Sequence, residues 1–452
     1  MNKNLMKRLL PPFCALLGMA LLAATVWACI GLDLGGRKFV AASLLTLAAL
    51  AAALVWLETR SLSCVMVLLL PIGAAMLIRV PCLDHLTGDY HGFLSKWYEY
   101  FKTNGGFSAI AESVGDYNVP YLYFIAAISY LRKPDLYLYK LFSILWDVLL
   151  AWGCLRLVRS LTGERRENAA PLIAFAAALL LPTVVVNGAY WGQCDAIYGA
   201  LCIHAAALLM EGNNKTSVAL MGVAFSFKLQ AIFVLPLWGV LWLAGKVKFR
   251  ELWVFPLTYL VTVLPAMFLG KPLMEILGIY INQMGEYPRL VLNAPSVYQF
   301  LPEGGAEVNQ RPASLLGIAA AGILVLLMLA LGLRLRDRLD RELAMTIAVV
   351  LAIGVPFFLP HMHERYFFLA DVFTLCWACA NFRRVPAVVL ACGSSLASYF
   401  VYLRNAKNFT CTIGGNLYLM PLEALAMLAA LAFALCVLGT QLRNSRNRPI
   451  LI

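Results

Sequence analysis

Charge is what this chain has least of. Of its 452 residues only 13% are Asp, Glu, Lys or Arg, against 62% hydrophobic, and the mean hydropathy is +0.78. A soluble fold cannot conceal that much apolar surface, which leaves an all-α polytopic integral membrane protein. Histidine is scarce too. Of five, only His361 and His363 are close in sequence, so no histidine-built zinc site and no metal ligand set is assigned. The twelve cysteines are dispersed, and the one Cys-x-x-Cys, Cys376 to Cys379, lies in an apolar run where that spacing marks one helix face. Internal repeats, low-complexity segments and hydrophilic stretches long enough for a soluble domain are missing as well, so residues 1–452 read as a single membrane domain. The net charge of +12 is scattered over short loops rather than gathered in a patch. That argues against nucleic acid and for orientation signals.

What is present is a succession of apolar runs about 17–25 residues long, enough to cross roughly 30 Å of hydrocarbon as helices. Spans are expected near 10–30, 39–57, 63–83, 136–158, 169–187, 195–211, 216–228, 229–245, 251–269, 313–334, 342–360, 365–382, 385–403 and 416–439, about 14 transmembrane helices. The first follows Lys3, Lys7 and Arg8 as a signal peptide would, but no small-residue cleavage site closes it, so it reads as a retained helix. With the N-terminus inside, the short inner loops receive Arg60; Arg159, Arg165 and Arg166; Lys215; Lys246, Lys248 and Arg250; Arg334, Arg336, Arg338 and Arg341; and Arg383 and Arg384. The tail adds Arg443, Arg446 and Arg448. This positive-inside pattern puts both termini in the cytoplasm. It leaves outside the cell membrane an outer loop at 84–135, the segment Asn187 to Asp195, a second outer loop at 270–312, and His361 to Arg365.

Three local features refine that picture. Asn118 to Leu131 is too short to span and carries Tyr121, Tyr123 and Tyr130, so it reads as a helix lying on the outer surface. The stretch after Asp89, with Phe93, Trp97, Tyr98 and Phe101 at helical spacing, reads as a second interfacial helix. An unbroken helix over 216–245 would hold Lys228 at mid-membrane, at about 2.5–3.5 kcal/mol, whereas a break there carries the ammonium to the outer face. Asn408 to Thr410 matches a glycosylation sequon, which carries meaning only in a suitable host.

The chemistry-bearing residues gather on the outer side. Asp89, in Gly88-Asp89-Tyr90, is either an acid with work at the mouth of the helices or a cap for the helix after it. Asp84 and Asp116 are its competitors. Asp195, closing Trp191-Gly192-Gln193-Cys194-Asp195, is either a contact for hydroxyls or a helix cap. His361, His363, Glu364 and Arg365 combine imidazole, carboxylate and guanidinium, a set that can hold a phosphate. The alternative is an interfacial anchor with Glu364 and Arg365 paired. Lys228 is a phosphate contact or a snorkelling lysine. Asp147 and Asp371 fall inside spans and require partners or a hydrated cavity.

Taken in order, Gly88-Asp89-Tyr90, Asp116-Tyr117-Asn118-Val119-Pro120-Tyr121, Trp191 to Asp195, Phe227-Lys228-Leu229-Gln230 and His361 to Arg365 resemble the motif series of the GT-C glycosyltransferases. The nearest resemblance is to bacterial proteins related to the GPI mannosyltransferase II group, and a more distant one is to dolichyl-phosphate-glucose glucosyltransferases. It covers roughly residues 64–382. The resemblance implies a GT-C-like fold with interfacial helices in the long outer loop. It implies transfer of a hexose, mannose-like, from a polyprenyl-phosphate sugar donor to a hydroxyl of a lipid, glycan or protein acceptor, with inversion and Asp89 as catalytic base. On the same footing, Lys228, His363 and Arg365 would bind the donor phosphate in the outer pocket that Asp89 shares. Asp116, Tyr117, Trp191, Gln193, Asp195, Gln230, His361 and Glu364 would bind sugar or acceptor. No cofactor is required, and a divalent metal is optional because Lys, Arg and His can meet a monophosphate leaving group. The chain departs from the pattern with Asn118-Val119-Pro120 for Pro-Pro, with Arg365 where relatives often carry lysine, and with two extra spans before the outer loop. These bear on donor and acceptor identity. Two other classes stand beside this one: a lipid-linked glycan transporter or flippase with Asp147, Asp371 and Lys228 along its path, and a glycan polymerase or ligase using Arg289 and Arg311.

Overall fold

The structure, a computed structural model, describes residues 3–112, 114–163, 168–285, 289–301, 309–404, 412–413 and 417–446. Arg165, Arg166, Arg448 and the Asn408–Thr410 sequon lie outside the described residues. The fold is nearly all α. In chain order the helices are α1 (Lys3–Ala28), α2 (Arg37–Thr59), α3 (Leu62–Arg79), α4 (Ser95–Thr103), α5 (Val119–Ser129), α6 (Asp135–Thr162), α7 (Ala170–Leu180), α8 (Pro182–Val185), α9 (Asp195–Glu211) and α10 (Asn214–Phe227). They continue as α11 (Pro236–Leu243), α12 (Phe249–Leu252), α13 (Val254–Phe268), α14 (Leu273–Gly285), α15 (Gln310–Leu335), α16 (Arg341–Phe358), α17 (Phe368–Ala380), α18 (Val385–Leu403) and α19 (Leu419–Arg446).

Among the described residues nine helices are long and apolar enough to cross a membrane, or ten if the pair bent by 42° at Pro182 forms one span. The runs expected at 195–211, 216–228, 229–245 and 365–382 do fold as helices, but α9, α10, α11 and α17 have only 17, 14, 8 and 13 residues. The break between α10 and α11 has a local cause. Lys228 is fully extended (φ −154, ψ 133) and ends α10, and a 3₁₀ turn over Leu229–Phe233 follows.

The chain forms two compact units, Met1–His204 with Val261–Ile276, and Ala205–Leu260 with Leu277–Ile452. In the first unit α1 and α3 cross at their glycines. A Cβ on Gly18 would lie 2.4 Å from the Leu69 carbonyl, and one on Gly73 would lie 2.6 Å from the Gly18 oxygen. Without a hydrophobic drive between helices in lipid, such close backbone approach is what packs them. Helix α6 is buried along most of its length. Its Asp147 accepts from Arg79 of α3 at 2.8 Å with both side chains fully buried, and Arg79 also donates to the Leu179 carbonyl at the α7–α8 bend at 3.0 Å. That is the partner the intramembrane acid requires.

The segment between α3 and α6 in this unit is folded. Eight of the eleven residues of α5 are buried, and Tyr123 ties it to the Ala266 amide at 2.9 Å. Most of α5 is therefore packed against protein, while Tyr130 and Leu131 just beyond it are exposed. A π-turn over Tyr90–Leu94 precedes α4, and its extra residue per turn rotates the buried stripe to Leu94, Tyr98 and Phe101 while Phe93 is 42% exposed.

In the second unit α16 is buried on nearly every side, with α15, α17 and α19 packed against it. Asp371 of α17 accepts from Ser395 Oγ of α18 at 2.8 Å. Strand β1 (Val291–Leu292) pairs in parallel with β2 (Met362–His363), joining the segment between α14 and α15 to the histidine motif.

Candidate active site

Two clusters, one in each unit, contain most of the residues singled out by sequence. The first is built on Asp89. It stands at the N-terminal edge of the π-turn but makes no side-chain capping bond. Its Oδ2 instead accepts from Trp191 Nε1 at 3.0 Å and Gln193 Nε2 at 2.5 Å, and the residue is 9% exposed. The capping alternative does not describe it. Trp191 and Gln193 reach it because Gly192 has φ +81, a left-handed conformation that reverses the chain between them at little steric cost.

The two segments are laced together further. Thr87 Oγ1 donates to the Trp191 carbonyl at 3.3 Å, and His85 stacks on Tyr190 with ring centroids 3.8 Å apart. Ser143 of α6 donates to the Gln193 carbonyl at 2.7 Å. Asp195 is fully buried and accepts from Asn187 Nδ2 at 2.8 Å. Asp84, the first competitor for the base, is held by the Tyr137 hydroxyl and by the Asp33 amide at 3.1 Å. Tyr90 donates to Asp135 at 3.0 Å, and its phenol is pushed well above the ordinary range by burial and then by that carboxylate.

Asp116 and Tyr117 belong to the same unit. The Tyr117 ring lies edge-on to Trp97 at 5.5 Å and 4.8 Å from Tyr121. Gly115 is required there, since its φ is +66 and a Cβ would meet Trp97 at 2.5 Å. Asp116 is half-buried, and burial raises its carboxyl above the usual range.

The second cluster gathers Lys228, His363, Arg365 and Tyr366. Lys228 Nζ and Arg365 Cζ lie 6.0 and 5.9 Å from the centre of the Tyr366 ring, whose negative face attracts both cations. Lys228 is 7% exposed. The His363 imidazole is 5.1 Å from the same ring, and it is driven well below its ordinary value by burial and then by Arg365 and Lys228. It is accordingly neutral at pH 7, so its 3.9 Å approach to Glu364 is not an ion pair there. Arg365 approaches Glu364 at 3.4 Å, as the anchor alternative anticipates, while remaining inside the cationic cluster.

His361 has a different task. At φ +63 its amide donates to the Leu290 carbonyl and its Nδ1 meets the Arg289 carbonyl, each at 2.7 Å, so the residue anchors the segment before β1. Gln230 is buried on the 3₁₀ turn, and its Oε1 has no hydrogen-bond partner among the described residues.

Sequence reading passed over Tyr366, although it directly follows Arg365. It also passed over Lys140, an ionisable residue inside an expected span, which is itself a signal. Asn293, whose carbonyl accepts from Ser398 and whose φ is +64, left no local signature. Among the described residues no group of three or more His, Cys, Asp or Glu side chains could hold a metal ion. Compared with known proteins, the chain matches no family model and no curated sequence.

Proposed function

We propose that this protein is a membrane glycosyltransferase of the GT-C kind, moving a hexose from a polyprenyl-phosphate sugar to an acceptor hydroxyl. The observation that carries the reading is the meeting of two motifs more than a hundred residues apart: the Asp89 carboxylate accepts from both Trp191 and Gln193. Hydrogen bonds that orient one carboxylate oxygen set the direction of the whole group, which is what a general base requires. The acceptor oxygen attacks the anomeric carbon while its proton passes to Asp89. The bond from that carbon to the phosphate oxygen breaks, and polyprenyl phosphate departs. One displacement inverts the anomeric centre.

Within the second unit, Lys228 and Arg365 offer fixed positive charge and neutral His363 one N–H, a set suited to a phosphate group. The cluster around Tyr366 supports that role, because it brings two cationic side chains to one aromatic face. The acceptor is a lipid, glycan or protein hydroxyl, and the sugar is mannose-like. We place the site on the extracytoplasmic face, with both termini cytoplasmic. We also take the short apolar helices α9, α10, α11 and α17 as membrane-embedded, which brings the crossings to about 14.

The test is Asp89→Asn in membranes supplied with a polyprenyl-phosphate hexose. Transfer is expected to fall by about 10²–10⁴-fold at unchanged protein level. Full transfer in that variant would remove Asp89 from the reaction.

A further inference from the structure

Helix α6 presents a polar face to both segments that meet at Asp89, and Lys140 is its centre. The Lys140 ammonium is fully buried and donates to three backbone carbonyls: Cys82 at 2.7 Å, Leu83 at 3.1 Å and His85 at 2.7 Å. They lie at and just beyond the 3₁₀ turn Val80–Cys82 that ends α3, where the Cys82 carbonyl also accepts from the His85 amide at 3.3 Å and helical donors run out. A cation is well placed at such a C-terminus, because the helix dipole is negative there and each carbonyl needs a donor. Here the donor comes from another helix.

The neighbours of Lys140 on α6 continue the pattern. Three residues before it, Tyr137 donates to Asp84. Three residues after it, Ser143 donates to the Gln193 carbonyl at 2.7 Å. The aliphatic stem of Lys140 runs past Gly192, where an added Cβ would lie 3.7 Å from its Cγ. One helix face thus touches the turn that leads into Asp89 and the turn that carries Trp191 and Gln193.

We infer that Lys140 is a positioning residue: its ammonium fixes the Cys82–His85 turn and so holds the Asp89 carboxylate in register with Trp191 and Gln193. As a role in transfer this rests on the function proposed above, but the mechanical part does not. A carboxylate displaced by about 1 Å from its productive place loses about 10²-fold in rate. Lys140→Met leaves the three carbonyls without that donor. Lys140→Arg keeps a cation with several N–H groups on a stem of similar length.

The experiment is amide hydrogen exchange on the full-length protein in lipid nanodiscs, run beside steady-state transfer from a polyprenyl-phosphate hexose. In Lys140→Met, exchange should accelerate over residues 83–94 while the remainder of α6 stays protected. The transfer kcat should fall about 10²-fold with KM for the donor little changed, and Lys140→Arg should restore much of both. Lys140→Gln keeps N–H donors on the same helix face and serves if Lys140→Met does not fold; its faster exchange should again fall over residues 83–94. Unchanged exchange over 83–94 in Lys140→Met, or faster exchange with full transfer, overturns the inference. If wild-type protein transfers no sugar, the enzyme reading fails, and the exchange pattern alone decides whether Lys140 holds the turn.

Discussion

A carboxylate buried beside two N–H donors and an imidazole buried beside two cations are held in opposite ways. Asp89 is satisfied by Trp191 and Gln193, whereas His363 is surrounded by groups that oppose its protonation. This has a consequence for stability. In the unfolded chain the imidazole titrates near 6.5, and in the folded protein well below it, because of burial, Arg365 and Lys228. As pH falls through 6.5 the unfolded state takes up a proton that the folded state refuses. The stabilisation is therefore complete above that value and is lost progressively toward the depressed folded value. Wild-type protein should lose more of its thermal midpoint between about pH 7.5 and pH 5.5 than His363→Gln does. Equal losses in the two proteins would show that His363 is not held neutral by its surroundings. The facing groups are Arg365 and Lys228, with Tyr366 and Glu364 alongside, so a shallower slope in Lys228→Met as well would identify the source of the repulsion.

At the scale of the helix, Arg79 and Asp147 show why an acid inside a span need not mark a transport path. The pair closes within 2.8 Å with both side chains fully buried, and the remaining guanidinium bonds go to carbonyls of Ala75 and Leu179. What lines α3 and α6 there is a structural clamp. The α1–α3 crossing is equally specific and needs no charge. A Cβ on Gly18 meets the Leu69–Leu70 backbone at 2.4–2.8 Å, and backbone cannot rotate away as a side chain can. Gly18→Ala should therefore destabilise the protein by about 1–3 kcal/mol through overpacking. Gly322→Ala in α15, where a Cβ meets nothing within 4 Å, should be neutral or stabilise by up to about 1 kcal/mol through helix propensity. Thermal unfolding of both variants in the same lipid checks the contrast. A tolerated Gly18→Ala would mean that α1 is not seated against α3.

For the whole molecule, hydropathy made the long helices legible because lipid selects composition over a full span, and α2, α3, α6, α15 and α19 fall on the expected runs. It also located the break at Lys228, since a lone ammonium has few tolerable places in an apolar run. Composition could not reveal that α9 and α17 stop short of 18 residues, nor that the π-turn before α4 shifts its buried face. Those features depend on tertiary contacts. The site was legible as residue types, with Asp89, Trp191 and Gln193 named separately, but a hydrogen bond spanning 102 positions leaves no trace in local pattern. The two compact units were not legible at all, because the first takes in Val261–Ile276 from far along the chain. Sidedness rests on the distribution of Lys and Arg alone, and it is testable within the first unit. Asn104 after α4 and Arg60 between α2 and α3 are both exposed, so each tolerates a thiol. In a cysteine-free background, Asn104→Cys should react with a membrane-impermeant maleimide in intact cells, whereas Arg60→Cys should react only after permeabilisation. The reverse labelling would put the Asp89 cluster on the cytoplasmic face. Nucleotide-linked donors would then become accessible to it, and the lipid-phosphate donor would lose the argument from location.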